Sequence, residues 1–203
     1  MEIKKAVVLG SGVMGAGIAA HLANAGIPVL LLDMVPPELT EDDKKAGLTP
    51  TSPKFRNKFA LNALTNVLPK LKPSPVFSNK VLKLITPGNF EDDMAKIADY
   101  DWVVEVVVER LDIKNKVFAQ VEKHMNPKAI ISSNTSGIRL AELVKERSEQ
   151  FKKNFLITHF FNPVRYMKLL EIVSGPQTDP AQVKIMAEFM ENKLGKGVVY
   201  AKD

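Results

Sequence analysis

The sequence predicts an α/β protein: a doubly wound, mostly parallel sheet flanked by helices, with a helical excursion after the second strand. Two observations carry this. Short apolar runs alternate with helical periodicity almost throughout, and a glycine-rich turn joins the first run to the first helix.

Taken in order, Ala6–Leu9 reads as the first strand, Met14–Ala25 as its helix stopped by Gly26, and Val29–Leu32 as the second strand, ending at Asp33. The excursion then spans about residues 34–80, interrupted by Pro36, Pro37, Pro50, Pro53, Pro69, Pro73 and Pro75. Within it, Leu61, Leu64, Leu68 and Leu71 recur at helical steps and predict one helix over Lys54–Leu68, with Phe55 and Phe59 in the core. Alternation resumes with a strand at Leu82–Ile85, a helix after Asn89, a buried strand at Trp102–Val108 and a helix at Leu111–His124. Ala129–Ser132, Phe155–Thr158 and Lys168–Val173 read as strands. Leu140–Lys145 and Pro180–Leu194 read as helices, and Val198-Val199-Tyr200 closes the series. One domain, residues 1–203, accounts for nearly everything.

Composition excludes several classes. Apolar residues make up 45% of the 203, ample for a core. No cysteine is present, which removes disulfide and thiolate chemistry and fits a reducing cytoplasm. No apolar run is long enough for a membrane span, and the first residues do not form a signal peptide. The net charge of +5 is modest but uneven. Between Lys44 and Lys83 there is no acidic residue, while Lys44, Lys45, Lys54, Arg56, Lys58, Lys70, Lys72, Lys80 and Lys83 fall there. Such a stretch is either a solvated face or a site that gathers a polyanionic ligand. No nucleic-acid motif accompanies it.

Gly10-Ser11-Gly12-Val13-Met14-Gly15 is a G-x-G-x-x-G that follows a strand and opens a helix, and Asp33 ends the next strand. This is a Rossmann-type dinucleotide fingerprint. Gly10 allows the tight turn, Gly12 admits a pyrophosphate against the backbone, and Gly15 lets helix and strand pack closely. Asp33 suits a ribose diol and repels a 2′-phosphate, so NAD is favoured over NADP. A second signal lies downstream. His159 leaves an apolar run in His159-Phe160-Phe161-Asn162-Pro163, and Glu171 returns in the next one. A histidine oriented by a carboxylate makes a general base near neutral pH. The alternative is a structural histidine and an unrelated glutamate, and these two residues alone do not choose. The other histidines, His21 and His124, lack partners at ligand spacing, so no metal site is expected.

With both signals in view, the chain resembles the NAD-binding domain of the 3-hydroxyacyl-CoA dehydrogenases. The likeness covers almost all of it. It rests on the glycine fingerprint with Ala16-Gly17-Ile18, Val103-Val104-Glu105 through Val108-Glu109-Arg110, Lys114-Asn115, Ser133-Asn134-Thr135-Ser136, and His159 through Glu171.

The resemblance implies that His159 is the base taking the proton from a 3-hydroxyl as hydride leaves for the nicotinamide, with Glu171 orienting it. It implies that Ser136 and Asn162 bond the substrate oxygen and the nicotinamide end of the cofactor. Asn134, Glu109 and Lys114 match positions on the cofactor cleft, the alternative for the last two being a surface ion pair. The excursion falls where this family meets coenzyme A, so an acyl-CoA substrate of the β-oxidation type is expected. The family continues into a helical C-terminal domain with dimer contacts, and this chain ends where that domain would begin, as one piece of a longer polypeptide. The Leu84–Phe90 stretch and the proline-rich excursion suggest the larger type fused to an enoyl-CoA hydratase. Two other readings stay open: a dehydrogenase of a free hydroxy acid or sugar acid, and a non-catalytic dinucleotide-binding module.

Overall fold

The computed structural model describes residues 2–203. β1 (Ala6–Leu9) passes through the glycine turn to α1 (Val13–Asn24) and β2 (Val29–Asp33). The excursion holds three short helices, α2 (Glu41–Lys45), α3 (Pro53–Arg56) and α4 (Lys58–Asn62). A π-helical turn at Ala63–Val67 and 3-10 turns at Leu68–Lys70 and Asn79–Leu84 complete it. Then come β3 (Ile85–Asn89), α5 (Phe90–Asp93), β4 (Trp102–Glu105), α6 (Leu111–His124) and β5 (Ile130–Ser133). The last part comprises α7 (Leu140–Val144), α8 (Glu149–Asn154), β6 (Phe155–Phe160), β7 (Leu169–Ser174), α9 (Pro180–Asn192) and β8 (Gly197–Ala201).

The strands form one eight-stranded sheet in the order β3-β2-β1-β4-β5-β6-β7-β8. Neighbours from β3 through β6 pair in parallel; β7 is antiparallel to β6, and β8 parallel to β7. The doubly wound expectation therefore holds. Strand order reverses between β1 and β4, and ligands bind outside the carboxyl ends of strands at such a point. Gly10, Asp33, Val106, Asn134 and His159 all gather at that end.

Each face of the sheet carries its own core. On one, Ile18 and Leu22 of α1 meet Trp102, Met186 and Phe189. On the other, Phe118 of α6 meets Phe151 and Phe155 edge-on, with centroids at 5.7 and 5.3 Å. Burying each such side chain contributes roughly 1.5–3 kcal/mol, which explains why the central strands read as unbroken apolar runs.

Several boundaries differ from expectation, each for a local reason. The run Leu82–Ile85 is not the third strand: residues 79–84 turn as 3-10, and β3 begins at Ile85. Leu82 and Leu84 are apolar because they pack against the α1 side of the core. Pro87 is tolerated because β3 is an edge strand. β4 stops at Glu105 rather than Val108, because β1 has by then turned into the glycine loop. The Val107 N–H donates instead to the Glu105 side chain at 2.7 Å. The expected single helix over Lys54–Leu68 is broken at Asn57 (φ −95°, ψ 14°), whose Oδ1 accepts from Asn89 Nδ2 at 2.6 Å. Across that break Phe55 is buried, but Phe59 is 38% exposed and not core. The sequence reading missed α8, a short helix of mostly polar residues, although Ser148 caps it by accepting from Phe151 N.

The cations of the excursion divide into two groups. Arg56 donates to Asp92 and Glu91 at 2.6 and 2.7 Å, Lys58 pairs with Asp43, and Lys44 with Glu41, so these serve docking and capping. Lys45, Lys54, Lys70, Lys72, Lys80 and Lys83 stay exposed, with no ion pair among the described residues. No helix among the described residues is long and apolar enough to cross a membrane.

His21 gives this fold a pH dependence. It lies in α1 at 9% exposure, its Nε2 bonds the Leu194 carbonyl at 3.1 Å, and its buried Nδ1 has no partner. Burial, then the charge of Lys196, lowers it from 6.5 to about 4. A histidine lowered in the folded state leaves the unfolded chain the better proton acceptor between those values. Stability is therefore complete above pH 6.5 and falls as pH drops towards 4, by about 3 kcal/mol at most. The urea midpoint should fall between pH 6.5 and 4.5, and His21→Gln should flatten that slope. An unchanged slope in the variant would remove His21 as its source.

Candidate active site

The glycine turn has the geometry its sequence requires. Gly10 adopts φ 106°, and a Cβ there would lie 2.6 Å from the Val106 carbonyl oxygen. A Cβ on Gly15 would stand 1.9 Å from the Gly10 carbonyl oxygen, so α1 can seat on β1 only without one. A Cβ on Gly12, by contrast, would meet nothing within 4 Å: the space beside that backbone is open. The first turn of α1 has neither a side-chain cap nor an acidic residue, so its free amides and dipole face that space. Asp33 accepts from Ser11 N at 2.6 Å and Ser11 Oγ at 2.5 Å, which locks the turn to the end of β2. Val13, 48% exposed, begins α1 beside Met14. Open space, unsatisfied amides and a terminal carboxylate fit a dinucleotide pyrophosphate and adenosine ribose.

The register of β6 and β7 sets His159 directly opposite Glu171. Nδ1 of His159 lies 2.9 Å from Glu171 Oε2. With the carboxylate accepting, Nδ1 carries the proton and Nε2 presents a lone pair. The imidazole also rests against the Phe161 ring, centroids 4.4 Å apart. Met14, Glu109, Asn134, Ser136, His159 and Asn162 line one cleft of about 360 Å³. The structure thus brings His159 onto one cleft with Met14 of the glycine turn. A second hollow of about 200 Å³ is lined by Ser136, His159 and Glu171 among others.

Beneath the cleft lies a polar network that sequence reading saw only in part. Glu105, at the end of β4, has no exposed surface and Lys114 is 1% exposed. Lys114 Nζ donates to both Glu105 oxygens at 2.8 and 3.0 Å and lies 3.1 Å from Glu109 Oε2. Ser133 Oγ and Val107 N also donate to Glu105, at 2.6 and 2.7 Å. Glu109 Oε1 accepts from Thr135 Oγ1 and from the Ser136 and Gly137 amides, the last two at 3.2 Å. Asn134 Oδ1 accepts from Phe160 N at 2.9 Å. The chain Lys114–Glu109–Thr135 therefore fixes the loop that carries Ser136, and Asn134 ties that loop to β6.

The network corrects one reading. Lys114 and Glu109 are not a surface ion pair, and Lys114 reaches the cleft only through Glu109, because its stem runs down into the end of β4. Burial pushes the Glu105 carboxyl up, against the opposing pull of Lys114. Burial pulls Glu109 the same way, but the bond from Thr135 and the charge of Lys114 outweigh it and hold the carboxyl low. Glu105 and Ser133 were missed as site residues, and so was Thr135. Its signal was its place between Asn134 and Ser136, which offers a hydroxyl to a carboxylate.

A family model described as "3-hydroxyacyl-CoA dehydrogenase, NAD binding domain" matches residues 5–203. The chain is 56% identical over its whole length to a Bacillus subtilis protein named "Probable 3-hydroxyacyl-CoA dehydrogenase", covering 26% of that protein. It is 47% identical to a Deinococcus radiodurans protein of the same name, covering all of this chain and 54% of that one. The crystal structure of (S)-3-hydroxybutyryl-CoA dehydrogenase from Ralstonia eutropha matches all of the chain and 64% of its own, with a TM-score of 0.71 at 27% identity. The chain thus spans about a quarter to a half of the curated relatives it matches.

Proposed function

The chain belongs to the 3-hydroxyacyl-CoA dehydrogenase family as its NAD-binding domain, and we propose that it supplies the cofactor site and the proton-transfer pair for reversible oxidation of an L-3-hydroxyacyl-CoA to the 3-ketoacyl-CoA. The observation that carries this is His159, held 2.9 Å from Glu171, on the same cleft as Met14 of the glycine turn.

NAD, when bound, supplies the acceptor for the hydride that leaves carbon 3 of the substrate. Loss of that hydride leaves the hydroxyl proton to be removed, and His159 Nε2 takes it. Glu171 holds the imidazole in the tautomer that leaves Nε2 free, and its charge stabilises the imidazolium that forms. The Ser136 hydroxyl and the Asn162 amide, both exposed at the cleft, donate to the substrate oxygen and the carboxamide end of the cofactor. Gly10 to Gly15 present backbone amides to the pyrophosphate, and Asp33 accepts from the ribose hydroxyls. The six unpaired lysines of the excursion are the cations a coenzyme A nucleotide needs. The remaining length of the relatives leaves room for a further, C-terminal domain that closes the cleft, in a polypeptide acting in the cytoplasm.

The test is a substrate comparison in the full-length polypeptide. With NADH, acetoacetyl-CoA should be reduced at least 100-fold more efficiently in kcat/KM than free acetoacetate. Equal efficiency would move the reading to a dehydrogenase of free hydroxy acids, and no turnover of either would leave a dinucleotide-binding module.

A further inference from the structure

Lys196 is 6% exposed and follows Gly195, whose φ of 65° swings the chain off the end of α9. Its ammonium donates to two carbonyl oxygens, those of Val164 and Met167, the second at 2.8 Å. It also lies 5.6 Å from the centroid of the Phe160 ring. Burial is the one influence moving its pKa, and no carboxylate pairs with it among the described residues. A buried ammonium without a counter-ion is costly, and an aliphatic side chain could fill the same space.

The two carbonyls belong to the turn between β6 and β7 that carries Asn162. That turn has little regular structure of its own. Tyr166 N and Met167 N both donate to the Pro163 carbonyl at 3.0 Å. Val164 presses on α1, where a Cβ on Gly17 would stand 3.1 Å from its Cγ2. Outside, Arg165 donates to the Ser74 and Val76 carbonyls at 2.9 and 3.1 Å, which ties the turn to the excursion. Inside, its anchor is Lys196.

We propose that Lys196 is a positioning residue for this reaction: by holding the Val164 and Met167 carbonyls it fixes the turn, and with it the direction from which Asn162 enters the cleft beside His159. The proposal rests on the function proposed above. Burial lowers the ammonium to about 8, so it is charged at neutral pH and loses its proton under mildly alkaline conditions. Its charge reaches His21 on α1, whose pKa Lys196 and, more weakly, Arg165 of the turn both lower.

The test uses the full-length protein with Lys196→Met and Lys196→Arg. In wild type, kcat should fall as pH rises through about 8. Lys196→Met should lower kcat roughly 10- to 100-fold at pH 7, since a misplaced polar group costs about that much. NADH affinity should stay within about threefold, because the glycine turn is untouched. Lys196→Arg should restore most of kcat and carry the alkaline fall upward by at least one pH unit. Amide exchange at residues 163–167 should quicken in the Met variant and return towards wild type in the Arg variant. Unchanged kcat and unchanged exchange in Lys196→Met would overturn the proposal. If that variant does not fold, an unshifted alkaline limb in Lys196→Arg overturns it instead. If wild type fails to turn over acetoacetyl-CoA, the function above falls, while amide exchange still decides the role of Lys196.

Discussion

Replacing His159 with glutamine should lower kcat by roughly 10²–10⁴-fold while leaving NADH binding nearly unchanged. The magnitude is that of a positioned general base. Glutamine nearly preserves shape and can still bond Glu171, yet it cannot take a proton at neutral pH. The His159 side chain is only 19% exposed and sits in a fixed cross-strand pair, so the fold should tolerate the change. Glu171→Gln should cost less than His159→Gln, because the imidazole remains but loses the carboxylate that sets its tautomer. The check is steady-state kinetics with acetoacetyl-CoA together with NADH fluorescence titration. Turnover within threefold of wild type in His159→Gln would refute the assigned base.

Lys114→Met should give the largest loss of stability of any single polar substitution at the site. It removes the cation that bonds both oxygens of Glu105, which then lies fully buried without a counter-ion, held only by Ser133 Oγ and Val107 N. Breaking a buried pair from one side costs about 3–5 kcal/mol, or a Tm lower on the order of 10 °C for a domain of this size. The double variant Glu105→Gln with Lys114→Met should recover much of this, since no buried charge is left. The sign of the pH effect follows from Glu105, whose carboxyl burial already pushes up. A carboxyl raised in the folded state gains stability as pH falls through that value, so the deficit of Lys114→Met should shrink in mild acid. Urea melts at pH 7 and 5 measure both effects. A Lys114→Met loss below 1 kcal/mol at pH 7 would mean that solvent reaches Glu105.

The legible parts of the fold were those fixed by local physics. The glycine spacing dictated a turn that only Gly10 and Gly15 can make, and the apolar runs dictated central strands buried on both faces. The third strand was misplaced because Leu82 and Leu84 are apolar for a different reason, packing from a 3-10 turn against the side of the core. The break at Asn57 was hidden because its cause is a bond to Asn89, thirty-two residues away.

By itself, the sequence determined the doubly wound frame and the glycine turn with Asp33, because each depends on short spacings and backbone sterics, and it named the residue types of the proposed proton-transfer pair. Only the tertiary structure decided that His159 and Glu171 face each other, that Lys114 lies buried beneath Glu109, and that Lys196 reaches the turn bearing Asn162. Those contacts depend on strand register and on burial. Register is a property of two distant segments paired together, and the cost of burying a charge appears only when its partners are in place.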